Sequence, residues 1–556
     1  MRKRPWRSRP VYFSSTTGTR IGPLLRLADL LGVGSKVATR GADIKPCRTG
    51  LDFDGGRVGL ARGQRVKGVL SMRRSGLTAI FIVLAFLVAA PSTWAAPGSG
   101  SLRRAVTVEA ILAHEAKFQH FGELSTTEFG HPTRVDGSVG FRRSVHYVRN
   151  QLEDAGYRVT VQRFRFDRFV ENTAPVFEQV TPDDKTYAEE TDFFTMDYSG
   201  SGDVTANVQE VTNNQFPPAA EPSSAAGCEA ADFAGFTPGN IALIQRGTCT
   251  FREKADNALA AGAIGVIVFN EGQPGREEAL AGTLSPPQME IPVIGTSFAV
   301  GEELHTLLGT GPVTVHIVVD ASIVDTPSAN VIADSKTGNP RDTVVVGAHL
   351  DSVEPGPGIN DNGSGSASIL EVAKQMANLN ITPENRVRFA FWGGEEFGLL
   401  GSEHYVSSLS TRQLNKIMLN LNFDMVGSPN FVRFVYDGNG SATGTAGPPG
   451  SGKIERFFLN YFEHQGLATD PTPFDGRSDY GPFIDRGIPA GGLFTGAEGV
   501  KTAEQAAVYG GTAGEPYDPC YHQLCDQYPD NLNVTVLDQM SDAIAHVVFR
   551  FANQDL

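Results

Sequence analysis

From residue 328 onward, short runs rich in Val, Ile, Leu and Phe alternate with longer stretches in which apolar residues recur at helical spacing. The runs at 330–334, 342–347, 386–392, 416–423, 432–436 and 488–494 predict strands. The stretches at 364–378, 399–408, 451–465 and 534–552 predict helices. Such alternation predicts an α/β domain with a mostly parallel central sheet flanked by helices. Upstream, residues 106–122 and 139–156 predict two amphipathic helices. The second ends at Gly156 and leads into a strand at 157–164. The pattern then loosens through a polar, Pro-containing stretch, 171–190.

A different unit, α+β in character, fills residues 191–322. It holds Ile241-Ala242-Leu243-Ile244 as a strand, Lys254 to Ala263 as a helix, and Ile264 to Asn270 as a second strand. Between the first strand and the helix stands Gln245-Arg246-Gly247-Thr248-Cys249-Thr250-Phe251, and the helix ends in Ala261-Gly262-Ala263-Ile264-Gly265. These two motifs resemble those of the protease-associated domain, which implies an insert that gates or positions substrate beside a catalytic domain. The catalytic domain would then be made of residues 96–190 and 323–556.

A chain of 556 residues with 40% hydrophobic and 20% charged positions reads as globular and multidomain. Its net charge of −15 argues against a nucleic-acid partner. The charge is uneven. Residues 1–71 carry 15 Lys and Arg against 4 Asp and Glu, a balance of +11 that leaves −26 on the rest. Met72-Arg73-Arg74-Ser75 then opens a positive segment, Leu77 to Ala90 is apolar, and Thr93-Trp94-Ala95 offers a small-x-small cleavage site. We expect a signal peptide over 72–95, translation starting at Met72, and residues 1–71 to be an extension outside the folded protein. The apolar run falls short of the ~20 residues of a membrane span, so no stable membrane association is expected after cleavage. The expected destination is extracellular or periplasmic. Cys228/Cys249 and Cys520/Cys525 read as two disulfides of an oxidising compartment, with Cys47 left in the extension.

Candidate chemistry gathers just after predicted strands. His349 and Asp351 stand in Gly-Ala-His-Leu-Asp, and Asp361 in Gly-Ile-Asn-Asp-Asn-Gly. Glu395 and Glu396 stand side by side in Trp-Gly-Gly-Glu-Glu-Phe, Asp424 in Asn-Phe-Asp-Met, and His522 in Asp-Pro-Cys-Tyr-His. In open α/β sheets, ligands bind beyond the carboxyl ends of strands, which makes these residues spatial neighbours. Imidazole nitrogens and carboxylate oxygens are zinc ligands. Two zinc ions, three carboxylates and one hydroxide sum to zero, so His349, Asp361, Glu396, Asp424 and His522 form a ligand set that burial tolerates.

Residues 328–550, with the helices near 106–156, resemble the secreted di-zinc aminopeptidases of metallopeptidase family twenty-eight. The resemblance implies that His349 and Asp424 hold one zinc, Glu396 and His522 the other, and that Asp361 bridges them. Asp351 would orient the His349 imidazole. Glu395 would be the general base for the metal-bound hydroxide. Tyr521 would donate to the oxyanion. Arg477 would contact the substrate backbone, and Met425, Phe494 and Gly476 would line a pocket for a large hydrophobic N-terminal residue. Glu395 and Asp424 are candidates to receive the free α-amine. The expected partners are peptides with a free N-terminus, and the expected state is a monomer. Carboxypeptidase or dipeptidase activity on the same fold is the alternative. A single-zinc glutaminyl cyclase is disfavoured by the full ligand set, and an inactive binding protein by the retention of every ligand and of Glu395. Asn362-Gly363-Ser364 matches a glycosylation sequon, but it lies inside the metal loop.

Overall fold

The computed structural model describes residues 98–273 and 276–556. The expected extension and signal peptide lie outside the described residues. Among the described residues no helix is long and apolar enough to cross a membrane.

An eight-stranded sheet forms the centre of the catalytic part. Its order is Arg158–Glu171, Ala321–Asp334, Asn385–Trp392, Asn339–His349, Ile417–Phe423, Ala490–Phe494, Phe434–Tyr436 and Asp470–Thr472. The four strands from Asn385–Trp392 to Ala490–Phe494 pair in parallel, as the sequence predicts. They read as continuous apolar runs because both faces are covered. Val344 and Val346 point into one core with Phe389 and Phe391, whereas Val345 points into the opposite core with Ala390 and Trp392. Helices Val108–Glu123, Val139–Asp154, Ser364–Asn378 and Val534–Ala552 contribute to the first core. Helices Leu400–Ser408 and Gly481–Asp485 supply Tyr405, Val406 and Phe483 to the second.

Two differences from expectation share one cause. The sequence predicts strands only over 157–164 and 330–334. In the structure Arg158–Glu171 and Ala321–Asp334 form one long antiparallel ribbon, in register from Arg158↔Asp334 to Glu171↔Ala321. Beyond the sheet this ribbon is partly exposed on both faces, so it carries no apolar run. Likewise the expected start of the insert at 191 is too late. Val176–Thr181 pairs with Thr314–Val319 and belongs to a second eight-stranded sheet, that of the insert. It is flanked by Lys185–Thr186, a short exposed strand, and its polar composition hides a single buried face at Phe177 and Gln179.

The motif-bearing strand–helix–strand of the insert is Ile241–Gln245, Phe251–Ala260 and Gly265–Phe269. The helix starts at Thr250, whose hydroxyl accepts from Glu253 N while the Glu253 carboxylate accepts from Thr250 N. Cys228 and Cys249 are bonded, as are Cys520 and Cys525.

Phe389 is fully buried in a central strand, with its ring 5.7 Å from that of Tyr157 in an edge-to-face pair. Phe389→Ala leaves a cavity there and should cost about 3–5 kcal/mol. Chemical denaturation checks this as a lowered unfolding midpoint of the catalytic part.

Candidate metal centre

Three neighbouring parallel strands end at the same edge of the sheet. His349 is the last residue of one, Trp392 of the next, and Phe423 of the third. Asp424 follows Phe423 directly, and Glu395 and Glu396 follow Trp392 after two glycines. Those glycines are a steric requirement. A Cβ on Gly393 would lie 2.4 Å from Ser328 Oγ and 2.7 Å from Phe141 Cζ, and Gly394 has a φ of 68°. The turn they make aims both glutamates back over the strand ends. Ser366, on helix Ser364–Asn378, donates to His349 O at 2.6 Å and ties the helix to the strand tip. His522 comes from the loop closed by Cys520 and Cys525.

The five predicted ligands converge. Asp361 uses its two oxygens in two directions: Oδ1 lies 3.1 Å from His349 Nε2, and Oδ2 lies 3.4 Å from His522 Nε2. His349 Nε2 also lies 3.2 Å from Asp424 Oδ1, and His522 Nε2 lies 3.1 Å from Glu396 Oε2. Donors about 2.0–2.1 Å from a tetrahedral zinc are about 3.3 Å apart from one another. The observed separations therefore suit the edges of two coordination shells that share Asp361. Glu395 Oε2 stands further off, 4.0 Å from His349 Nε2. Asp351 Oδ1 faces His349 Nδ1 at 3.7 Å, while its Oδ2 accepts from Glu396 N at 3.3 Å.

The charges demand cations. Burial raises the Glu395 pKa well above the usual carboxylate range, and Asp424 adds to this. Burial and Asp361 raise Glu396. Burial also pushes Asp479, behind the site, up to about 8. On His522, burial works downward, but Glu396 and Asp361 overrule it and push the imidazole up to about 10. On His349, burial is outweighed by Asp424 and Glu395, and the pKa rises well above its ordinary value. The nitrogen and oxygen donors present fit zinc in both number and type.

The sequence reading missed the residues that hold the ligands. Asn362, buried, donates to Phe423 O at 3.0 Å and accepts from Met425 N at 3.3 Å, gripping both sides of Asp424. Its burial also removes the sequon from use. Ser478 Oγ donates to Asp424 Oδ2 at 2.5 Å and accepts from Asn422 Nδ2 at 2.7 Å. Asp136 accepts from Gly394 N at 2.8 Å and steadies the glutamate turn. The fully buried Arg134 donates to the carbonyls of Leu350, Pro357 and Gly358, and so braces the loop between His349 and Asp361. The one local signal is the density of Asn and Asp in Gly-Ile-Asn-Asp-Asn-Gly.

A cleft of about 160 Å³ opens over the cluster. Asp361, Glu395, Glu396, Asp424, Tyr521 and His522 line it, together with Met425, Gly476, Arg477 and Phe494. Arg477 and the three predicted pocket residues thus all line the cleft, and Tyr436 and Asp475 join them. Arg477 Nη2 donates to the Tyr521 hydroxyl at 3.1 Å, and its Nη1 pairs with Glu498 at 2.7 Å. The Tyr521 ring stacks on His522 at 3.8 Å between centroids. His522 and Met425 take left-handed φ values of 56° and 49°, a strain of about 1–3 kcal/mol each that the surrounding bonds sustain.

Comparison with known proteins agrees with this geometry. Residues 330–548 match Peptidase family M28, and residues 211–304 match the PA domain. An aminopeptidase of Pseudomonas aeruginosa (strain UCBPP-PA14) is 48% identical over 416 residues, 74% of this chain and 76% of that protein. Leucine aminopeptidase 2 of Arthroderma otae is 40% identical over 456 residues, 81% of this chain and 86% of that protein. The structure resembles an aminopeptidase from Aneurinibacillus sp. strain AM-1, with a TM-score of 0.64 and 27% identity, covering 82% of this chain and 96% of that one. It also resembles a zinc aminopeptidase from Bacillus subtilis, with a TM-score of 0.54 and 26% identity, covering 81% and 96%.

A ligand that binds only the folded chain stabilises it by mass action, about 4 kcal/mol at a thousandfold excess over Kd. Exhaustive chelation should therefore lower the Tm, and added zinc should restore it. An unchanged Tm after metal removal, verified by elemental analysis, would show that metal at the cluster does not stabilise the fold.

Proposed function

Because this chain belongs to peptidase family M28, as a zinc-dependent metallo-aminopeptidase with an inserted PA domain, we propose that it removes large hydrophobic N-terminal residues from peptides with two zinc ions and Glu395. The observation that carries the two-ion reading is the double use of Asp361, one oxygen toward His349 and the other toward His522. His349 and Asp424 would complete one position, and Glu396 and His522 the other. Zinc, when bound, supplies Lewis acidity that acidifies water and polarises a carbonyl.

The chain's own groups do the rest. Glu395 is not needed as a ligand, so its carboxylate is available to take a proton from the attacking water and deliver it to the departing amine. Burial keeps the Tyr521 hydroxyl protonated by raising its pKa well above the ordinary value. It can therefore donate to the oxygen that turns negative as the peptide carbon becomes tetrahedral. Arg477 holds that hydroxyl in place. The free α-amine finds negative charge at Glu395 and Asp424, which favours an aminopeptidase. A carboxypeptidase needs a cationic clamp, and here the Arg477 guanidinium is occupied by Glu498. Met425, Phe494, Tyr436 and Gly476 offer the first side chain an apolar pocket beside the metal ligands. Export is supported by the basic and apolar segment over 72–95 and by the two disulfides. A monomer acting on soluble peptides completes the reading.

The test is hydrolysis of Leu-p-nitroanilide and of its N-acetyl form, with zinc counted per chain. Cleavage of the free-amine substrate alone, lost on chelation and restored near two zinc ions per chain, is expected. Cleavage of the blocked form would overturn the reading. Glu395→Gln should lower kcat by about 10²–10⁴ while leaving the zinc content unchanged.

A further inference from the structure

Resting on the two-ion reading, we infer that Asp526 is a positioning residue that sets the distance between the bridging Asp361 and His522. A carboxylate that serves two ions must be fixed in rotation as well as in place. The backbone on either side of Asp361 meets two separate clamps. Asn362 binds Phe423 O and Met425 N, as described, and so locks Asp361 to the Asp424 strand. On the other side, one carboxylate receives two successive amides: Asn360 N donates to Asp526 Oδ1 at 2.8 Å, and Asp361 N to Asp526 Oδ2 at 3.0 Å. A forked grip of this kind fixes the orientation of the Asp361 peptide.

Asp526 is buried, and its own carboxylate is held by Asn531 Nδ2 at 2.8 Å. It lies four residues beyond His522, next to the bonded Cys525. The segment that supplies one imidazole therefore also grips the backbone of the bridging ligand. The two clamps have different tasks. Asn362 sets Asp361 against Asp424 and hence against the His349 position. Asp526 sets Asp361 against His522 and hence against the Glu396 position. Loosening Asp526 should therefore unbalance the two metal positions instead of weakening both alike.

Asp526→Asn tests this. An amide in that place has one acceptor oxygen and presents its NH2 to the other backbone N–H, so one arm of the fork is lost. Zinc titration of the metal-free full-length protein, followed by competition with a chromophoric chelator, gives the affinity of each step. In the unaltered protein two ions should bind. In Asp526→Asn one should bind as before, and the other about 10–100-fold more weakly, the usual scale for groups behind a metal ligand. Circular dichroism of the metal-free forms should be alike. If Asp526→Asn does not fold, Asn531→Ala, which removes the bonds from Asn531 to Asp526 and to Asp518, should show the same uneven loss in smaller measure. Two unchanged affinities, or an equal loss at both steps, overturn the inference while leaving the two-ion reading intact. Fewer than two ions in the unaltered protein overturns the two-ion reading, and this inference with it.

Discussion

Buried negative charge at one edge of the sheet is the constraint on which this architecture turns. Asp351, Asp361, Glu395, Glu396 and Asp424 crowd the ends of three parallel strands, with Asp136 and Asp479 behind them. Two imidazoles face this cluster. Burial raises Glu395, Glu396, Asp136 and Asp479 above the ordinary carboxyl range, and a bound cation would offset the charge they carry when ionised. Much of the nearby chain then serves to keep the acids from relaxing apart: the serine bond from helix to strand tip, the asparagines of the metal loop, the arginine beneath it and the disulfide-closed loop.

Glu395 and Glu396 show how little separates two roles. They are adjacent in sequence, and both are crowded by burial and like charge. Yet Glu396 is fully engaged. Its Oε1 accepts from Val353 N at 3.1 Å, and its Oε2 faces His522. Glu395 stands on the other side, near His349 and Asp424 but farther from His349 Nε2 than either ligand oxygen. The double-glycine turn makes this split possible, because it brings both carboxylates to the site while their side chains diverge.

The parts of this arrangement differ in how legible they are in sequence. Helices Ser364–Asn378, Ser451–Gln465 and Val534–Ala552 fall where the apolar pattern puts them: Ser451–Gln465 buries one face, and the other two are more widely buried. The central strands are found for the matching reason, burial on both faces. The ligands stand out because His, Asp and Glu follow apolar runs at a topologically shared edge. The roles expected of each rest on the family resemblance, since spacing alone assigns no role to any one oxygen. Arg134, Asp136, Ser478 and Asp526 were not legible at all. Each is a polar residue whose partner lies far away in the chain, so nothing local distinguishes it from a surface residue. The ribbon's outer half is not legible because its first strand alternates Arg and Asp with Phe and its second carries Asp, Thr, Pro and Ser at partly exposed positions.

That ribbon carries a consequence for the order of assembly. Its two strands are separated by the whole insert, and they meet again at Glu171↔Ala321, where Asn172 N donates to Asp320 O at 2.7 Å. During synthesis, helices Val108–Glu123 and Val139–Asp154 and the first ribbon strand leave the ribosome well before the central strands of their sheet. Only when the insert has closed on itself is Ala321 returned to Glu171, which shortens a loop of some 150 residues to a tight turn and reduces the entropy of starting the sheet. With the insert folded, its two ends stand side by side and the ribbon strands begin in register.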